Sequence, residues 1–177
     1  MFVTLETDTE TRDARRAMQG DTDARERLFE QIYGRILRYH RKLAGVALAE
    51  ELTQETMVRL IRSFDQLREP ERFVPWAFRI ATNVWRDHHR AKAERAAERT
   101  AEAPNASRSA EREEQAQKIL DAVTKLPETY RIVLTLRYLE GMEYESMAEV
   151  LDIPVPTLRS QIARGRQMIR RQLETIE

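Results

Sequence analysis

The sequence predicts an all-α protein: two small helical domains joined by a flexible linker. Three observations carry this. Apolar residues recur at three- and four-residue spacings, while the apolar–polar alternation of a half-buried strand never persists. Five Gly and six Pro are few, and 34% charged residues suit helices with solvated outer faces. Residues 91–117 are rich in Ala, Glu and Arg and poor in large apolar side chains, and Pro104-Asn105 with nearby serines breaks any helix there. The linker is therefore placed at 98–111, between an N-terminal domain at 23–97 and a C-terminal domain at 112–177, with an acidic extension at 1–22.

The first helix is expected from about Asp23 to Leu43. Leu28, Ile32, Ile36 and Leu43 form its buried stripe, and Asp21 or Thr22 can cap it. A second helix is expected from about Ala49 to Gln66, with Thr53, Met57, Leu60, Ile61 and Phe64 inward. Glu51, Leu52, Glu55, Val58, Arg59 and Arg62 then lie away from that stripe. Apolar residues among charges suggest a docking surface, although scattered surface Leu and Val are common.

The third helix is expected from about Val74 into the nineties, with Phe73, Ala77, Ile80, Ala81 and Val84 on its core side. At about 100° per residue, Trp76, Arg79, Asn83, Arg86 and Arg90 share a different face. An aromatic ring can stack on an unpaired base, an amide can bond a base edge, and guanidinium groups hold phosphates. A core tryptophan flanked by solvated arginines explains the same pattern.

Residues 128–171 read as a helix, a short helix, a tight turn at Asp152-Ile153-Pro154, and a long helix. That is the outline of a helix-turn-helix module, which lays one helix in the DNA major groove. Val155, Leu158, Ile162, Ile169 and Leu173 form the apolar stripe of the last helix, set to pack on Leu134, Leu136, Met147, Ala148 and Leu151. Arg159, Arg166 and Arg170 recur on another side, widened by Arg164 and Arg171. Arg159 and Ser160 sit near the helix start, where base edges are usually read. Asp152 tolerates the backbone angles of the turn, and Pro156 fits a first helical turn. An ordinary three-helix bundle with a solvated basic face is the alternative.

Composition narrows the function classes. With no Cys there is no disulfide framework, no cysteine zinc site and no thiol nucleophile. No run of about eighteen apolar residues offers a membrane span, and the N-terminus lacks a signal-peptide pattern, so a cytoplasmic location is expected. His88 and His89 are adjacent and point about 100° apart on a helix, so a shared metal is not expected. No Gly-rich phosphate loop or nucleophile elbow appears, and neither an enzyme nor a cofactor is expected. Formal net charge is zero, so the basic faces imply acidic surface elsewhere for another partner.

Three segments in order carry a resemblance: AEELTQETMVRLIRSFDQL, then FVPWAFRIATNVWRDHHR, then LPETYRIVLTLRYLEGMEYESMAEVLDIPVPTLRSQIARGRQMIRRQL. The chain resembles the extracytoplasmic-function (group IV) sigma factors of bacterial RNA polymerase, with residues 24–95 similar to region 2 and 112–174 to region 4. The resemblance implies a factor that binds core polymerase and directs initiation at promoters. It implies that Glu51, Leu52, Gln54, Glu55, Val58 and Arg59 meet the clamp coiled coil of the largest subunit. It implies that Trp76, Arg79, Asn83, Arg86 and Arg90 recognise and open the −10 element, with the loop Leu67 to Phe73 as pocket for a flipped base. It implies that Thr157, Arg159, Ser160, Arg164 and Arg166 bind the −35 duplex, and that region 4 meets the flap of the second-largest subunit. An anti-sigma factor is a further implied candidate partner. A stand-alone helix-turn-helix regulator, acting without polymerase, is the alternative reading.

The chain departs from the family in the turn, where Asp152 stands at a position often held by glycine, and at the start of the recognition helix. A Gly-Thr-Val-Lys-Ser-Arg run often starts the recognition helix, and here it is Pro156-Thr157-Leu158-Arg159-Ser160-Gln161. Proline stiffens the helix start, and Gln161 removes one expected contact, so a different or more weakly bound −35 sequence is expected.

Overall fold

A computed structural model describes residues 3–97, 123 and 125–174, with side chains over 9–91, 123 and 125–174. The described residues form seven α-helices and no strand: α1 (Val3–Met18), α2 (Thr22–Ala44), α3 (Val46–Ser63), α4 (Phe73–Ala97), α5 (Glu128–Leu134), α6 (Tyr144–Leu151) and α7 (Val155–Glu174). The expected linker at 98–111, and residues 112–122 after it, lie outside the described residues. None of the described helices is long and apolar enough to cross a membrane.

Local chemistry sets the boundaries. Asp21 caps α2, its carboxylate accepting from the Ala24 N–H at 2.9 Å. Gly45, at φ 81°, ends α2, and its N–H donates to the Arg41 carbonyl at 3.1 Å. Asp152 ends α6 in the left-handed region (φ 55°, ψ 46°), the conformation expected of it in the turn.

The α2 stripe is as expected: Leu28, Ile32, Ile36 and Leu43 are buried, joined by Tyr39 and His40. Opposite them α4 buries Phe73, Ala77, Ala81 and Val84, and also Phe78 and Trp85. Ile80 is only half-buried. The polar groups in this core are paired. Tyr39 and Thr82 share a hydroxyl–hydroxyl bond of 2.8 Å. His40 lies between the Thr53 hydroxyl (3.1 Å) and the Ala81 carbonyl (3.2 Å).

Helix α3 corrects the sequence reading. Its buried residues are Ala49, Leu52, Thr53, Thr56 and Leu60, while Ile61 is 50% exposed. The helix is rotated by about 60° from the expected stripe. Threonine drives the error: the Thr56 hydroxyl donates to the Leu52 carbonyl at 2.7 Å, so a residue that reads as polar is buried at little cost.

Helix α1 lies where an acidic extension was expected. It packs on α2 with Glu10 and Asp13 buried beside Ala14 and Ala17. Arg35 of α2 donates through Nη1 to both Glu10 oxygens at 2.8 Å, and Arg27 reaches Asp13 at 3.3 Å. The acids are interior ion-pair partners, which is why no apolar stripe announces this helix.

In the C-terminal lobe, Leu134, Leu136, Met147, Leu151, Leu158 and Ile162 form the core. A π-helical turn at Thr135–Leu139 follows α5, burying Thr135 and Leu136 while leaving Tyr138 and Leu139 on the surface. Gly165 sets the approach of α7 to α5. A Cβ there would sit 2.9 Å from Leu134 Cδ1 and 3.3 Å from Tyr130 Cβ.

The lobes pack on each other, α6 against α4. Charged groups stitch the seam. Arg35 Nε donates to Glu140 at 3.1 Å, Arg131 donates to the Leu43 carbonyl at 2.8 Å, and His89 lies 3.4 Å from Glu128.

Candidate nucleic-acid interface

The turn before α4 is built on aromatic packing. Phe29, Phe64 and Phe73 meet edge to face, with centroids 5.4 to 6.4 Å apart, and the Arg25 guanidinium lies 5.0 Å over Phe64. With Leu67 also buried, this cluster anchors both ends of the loop Leu67 to Phe73. Against that loop lies a pocket of about 240 Å³, lined by Leu67, Arg68, Arg72, Pro75, Trp76 and Arg79 among others. Trp76 serves two surroundings at once: its ring packs on the core 6.1 Å from Phe73, and it lines the pocket.

The five residues expected on this face are all on α4, but they do not form one cluster. Trp76 and Arg79 line the pocket, and Asn83 follows on the exposed side. Arg86 is half-buried near Tyr39. Arg90 is about 21 Å from Trp76 along the helix axis. Its charge is shared with Asp87 at 2.9 Å, and Asp87 also receives Arg59 of α3 at 3.3 Å. The face is a basic track that starts at an aromatic pocket. Sequence reading missed Arg72, which hangs over the pocket from the short turn Pro70–Arg72; the signal was its place within the loop.

On α7, Thr157, Ser160 and Arg164 are exposed on the outer face. The Ser160 hydroxyl is engaged, donating to the Thr157 carbonyl at 2.8 Å. Arg159 lies on a flank with its guanidinium 5.3 Å over the Tyr144 ring of α6, which pre-positions a long side chain near the helix start. Arg166 occupies the same flank two turns on. It lines an apolar groove of about 640 Å³ with Leu134, Tyr138, Leu139, Ile169 and Leu173. The structure thus separates Arg166 from the outer face with which it was grouped. Gln161 is half-buried, with its carbonyl oxygen unpartnered among the described residues.

The third surface is the outer side of α3. Glu51, Gln54, Glu55, Val58 and Arg59 are exposed there, and Arg59 is held by Glu55 at 2.8 Å. Leu52 does not belong to it. At 3% exposure it is a core residue, because the rotation of α3 carries it inward. Ile61 takes its place, so Val58 and Ile61, at 41% and 50% exposure, form an apolar ridge flanked by charge.

Residues 28–95 match the family profile "Sigma-70 region 2" and residues 116–169 match "Sigma-70, region 4". The ECF RNA polymerase sigma-E factor of Haemophilus influenzae is 30% identical over 183 residues, spanning 91% of this chain and 93% of the relative. The RNA polymerase sigma-H factor of Pseudomonas aeruginosa is 29% identical, spanning 80% of this chain and 85% of the relative. Two solved structures share the fold. One is the sigma factor RpoE from Bartonella quintana in complex with the anti-sigma factor NepR, with TM-score 0.72 and 18% identity over 84% of this chain and 96% of that one. The other is CnrH in complex with the cytosolic domain of CnrY, with TM-score 0.69 and 24% identity over 96% of this chain and 99% of that one.

Proposed function

The chain belongs to the sigma-70 family of RNA polymerase sigma factors, in its extracytoplasmic-function class, and from that premise we propose how its surfaces divide the work of initiation. The protein is a sigma factor that directs promoter-specific transcription initiation. Its family initiates transcription and is not catalytic, so the bond-forming chemistry is the polymerase's. We place the protein in the cytoplasm with that polymerase.

Residues 23–97 form the region 2 unit, 98–111 the linker and 112–177 the region 4 unit. The ridge of Glu51, Gln54, Glu55, Val58, Arg59 and Ile61 docks on the clamp coiled coil of the largest subunit. An apolar centre ringed by charge suits such a partner. Trp76, Arg79, Asn83, Arg86 and Arg90 engage the −10 element. Thr157, Arg159, Ser160 and Arg164 engage the −35 duplex in the major groove. The groove beside Arg166 receives the flap of the second-largest subunit through Tyr138, Leu139 and Leu173, with Arg166 at its rim. An anti-sigma factor would compete for these same faces.

The observation that supports the −10 assignment best is the pocket at Leu67, Arg72, Trp76 and Arg79. A base leaving the duplex loses its stacking, and a site repays that only with an aromatic or apolar wall beside cations for the phosphates. Trp76 and Pro75 supply the wall; Arg72 and Arg79 supply the cations.

Asn83 is exposed on α4, so replacing it leaves the core intact. Asn83→Ala lowers the rate of promoter opening by roughly tenfold, as expected for one lost base-edge contact. Core polymerase binding stays unchanged. A fluorescent base at the melted strand reads the first quantity and a sizing column the second. Equal losses in both would show that Asn83 is structural.

A further inference from the structure

The apolar groove beside Arg166 has hydrocarbon walls and a charged rim. Leu134 of α5, Tyr138 and Leu139 of the π turn, and Ile169 and Leu173 of α7 form the walls. Thr135 also lines the groove, but its hydroxyl is already donated to the Arg131 carbonyl at 2.8 Å. The walls therefore offer little to the hydroxyls of a sugar or to the edges of a nucleobase.

The rim is cationic. Lys42, in the last turn of α2, lines the groove together with Arg166 and Arg170 of α7, and the one carboxylate there is Glu174. Arg166 and Arg170 are four residues apart, so they stand one above the other on one face of α7. None of these four side chains has an ion pair or a hydrogen bond among the described residues. Other exposed arginines are held by acids. Arg59 is held by Glu55 and Arg90 by Asp87. Arg72 is held by Glu69 at 2.8 Å and, more loosely, by Glu149 of α6 at 3.8 Å. Lys42 is half-buried, and desolvation lowers its pKa. An ammonium group beside hydrocarbon with no counter-charge is costly, and an arriving anion removes that cost.

We infer that the groove binds the anion of a single-chain fatty acid, with its carboxylate among Lys42, Arg166 and Arg170 and its alkyl chain along Leu134, Leu139, Ile169 and Leu173. Charge complementarity selects the head, and the walls select the tail. The volume of about 640 Å³ is that of an ordinary small-molecule site. This is the groove assigned above to the flap, so a bound chain would exclude that contact. Binding itself does not rest on that assignment and is measured without polymerase.

Calorimetric titration of the full-length protein with sodium dodecanoate, kept below its micelle concentration, tests the site. The expected result is saturable one-to-one binding with Kd on the order of 100 µM, which ordinary ligand efficiency gives for about fourteen heavy atoms. Tetradecanoate binds about tenfold more tightly, since each buried methylene contributes roughly three- to fourfold. Dodecyltrimethylammonium, with the same tail and the opposite charge, binds about tenfold more weakly. Lys42→Met keeps the stem, removes the charge and weakens dodecanoate binding about tenfold. Leu139→Glu, at a surface position, places an acid in the groove and abolishes binding. Far-UV circular dichroism checks both variants, and Leu139→Glu carries the test if Lys42→Met loses its helical signal. No saturation up to about 1 mM would overturn the site. Equal affinity for the anionic and cationic amphiphiles, or a folded Lys42→Met variant within about twofold of the parent, would overturn the role of the rim. Phosphatidylglycerol vesicles that bind the protein as tightly as free dodecanoate would assign the rim to a membrane surface and overturn the single-chain reading.

Discussion

Placing aspartates at Val58 and Ile61 together lowers affinity for core RNA polymerase by roughly 30- to 1000-fold, a loss of about 2–4 kcal/mol. Both side chains stand on the solvent side of α3 and are nearly half exposed, so the double variant keeps its core. The loss comes from burying two charges in the centre of an interface that a partner must desolvate. Charge reversal of the rim, Glu51→Lys with Glu55→Lys, acts mainly on the rate of encounter and is relieved by salt. A titration against fluorescently labelled core polymerase separates the two patterns. Affinity within threefold of the parent for Val58→Asp/Ile61→Asp would remove α3 from the docking surface.

Acidification has the next largest effect, through His40. Its ring is buried beneath α3 and α4, and desolvation lowers its pKa from 6.5 to about 4, against the Ala81 hydrogen bond that favours the charged form. In the neutral ring Nε2–H donates to the Ala81 carbonyl, and Nδ1 lies 3.1 Å from the Thr53 hydroxyl, whose own proton is donated to the Ala49 carbonyl at 2.6 Å. Between these two pKa values the unfolded chain binds a proton that the folded chain refuses. Stability is therefore fully present above pH 6.5 and is lost as pH falls toward 4. The slope is about 1.4 kcal/mol per pH unit and the total about 3 kcal/mol. Glu140 works the other way, because burial raises its pKa and protonation relieves its cost. Urea midpoints between pH 7 and 4.5 measure the slope. His40→Gln flattens it, and an unchanged slope in that variant would assign the acid sensitivity elsewhere.

How legible the protein is from sequence depends on what each helix buries. Helix α2 buries aliphatic residues at regular spacing, so its stripe and its Asp21 cap are readable directly. Helix α3 also buries Thr56, whose hydroxyl reaches the backbone carbonyl four residues back; a polarity pattern cannot see that, and Leu52 is misplaced as a result. Helix α1 buries Glu10 and Asp13 against arginines of α2, so its ordering signal lies in another helix. The start of α7 is readable because capping, turn and basic residues coincide at Asp152 to Ser160. The split between Arg164 and Arg166 follows from helix rotation, yet the groove beside Arg166 needs the π turn, which has no periodic signature. The pocket at Trp76 is half legible. Its wall and its cations come from one loop and one helix, whereas Glu149 arrives from the other lobe.

The most direct test of the account is to mix the purified protein with bacterial core RNA polymerase and run the mixture on a sizing column. Stoichiometric co-elution, with run-off transcripts starting at discrete sites on genomic fragments, is the predicted result. A folded, helical protein that elutes apart from the polymerase would contradict the account and favour a regulator that binds DNA by itself.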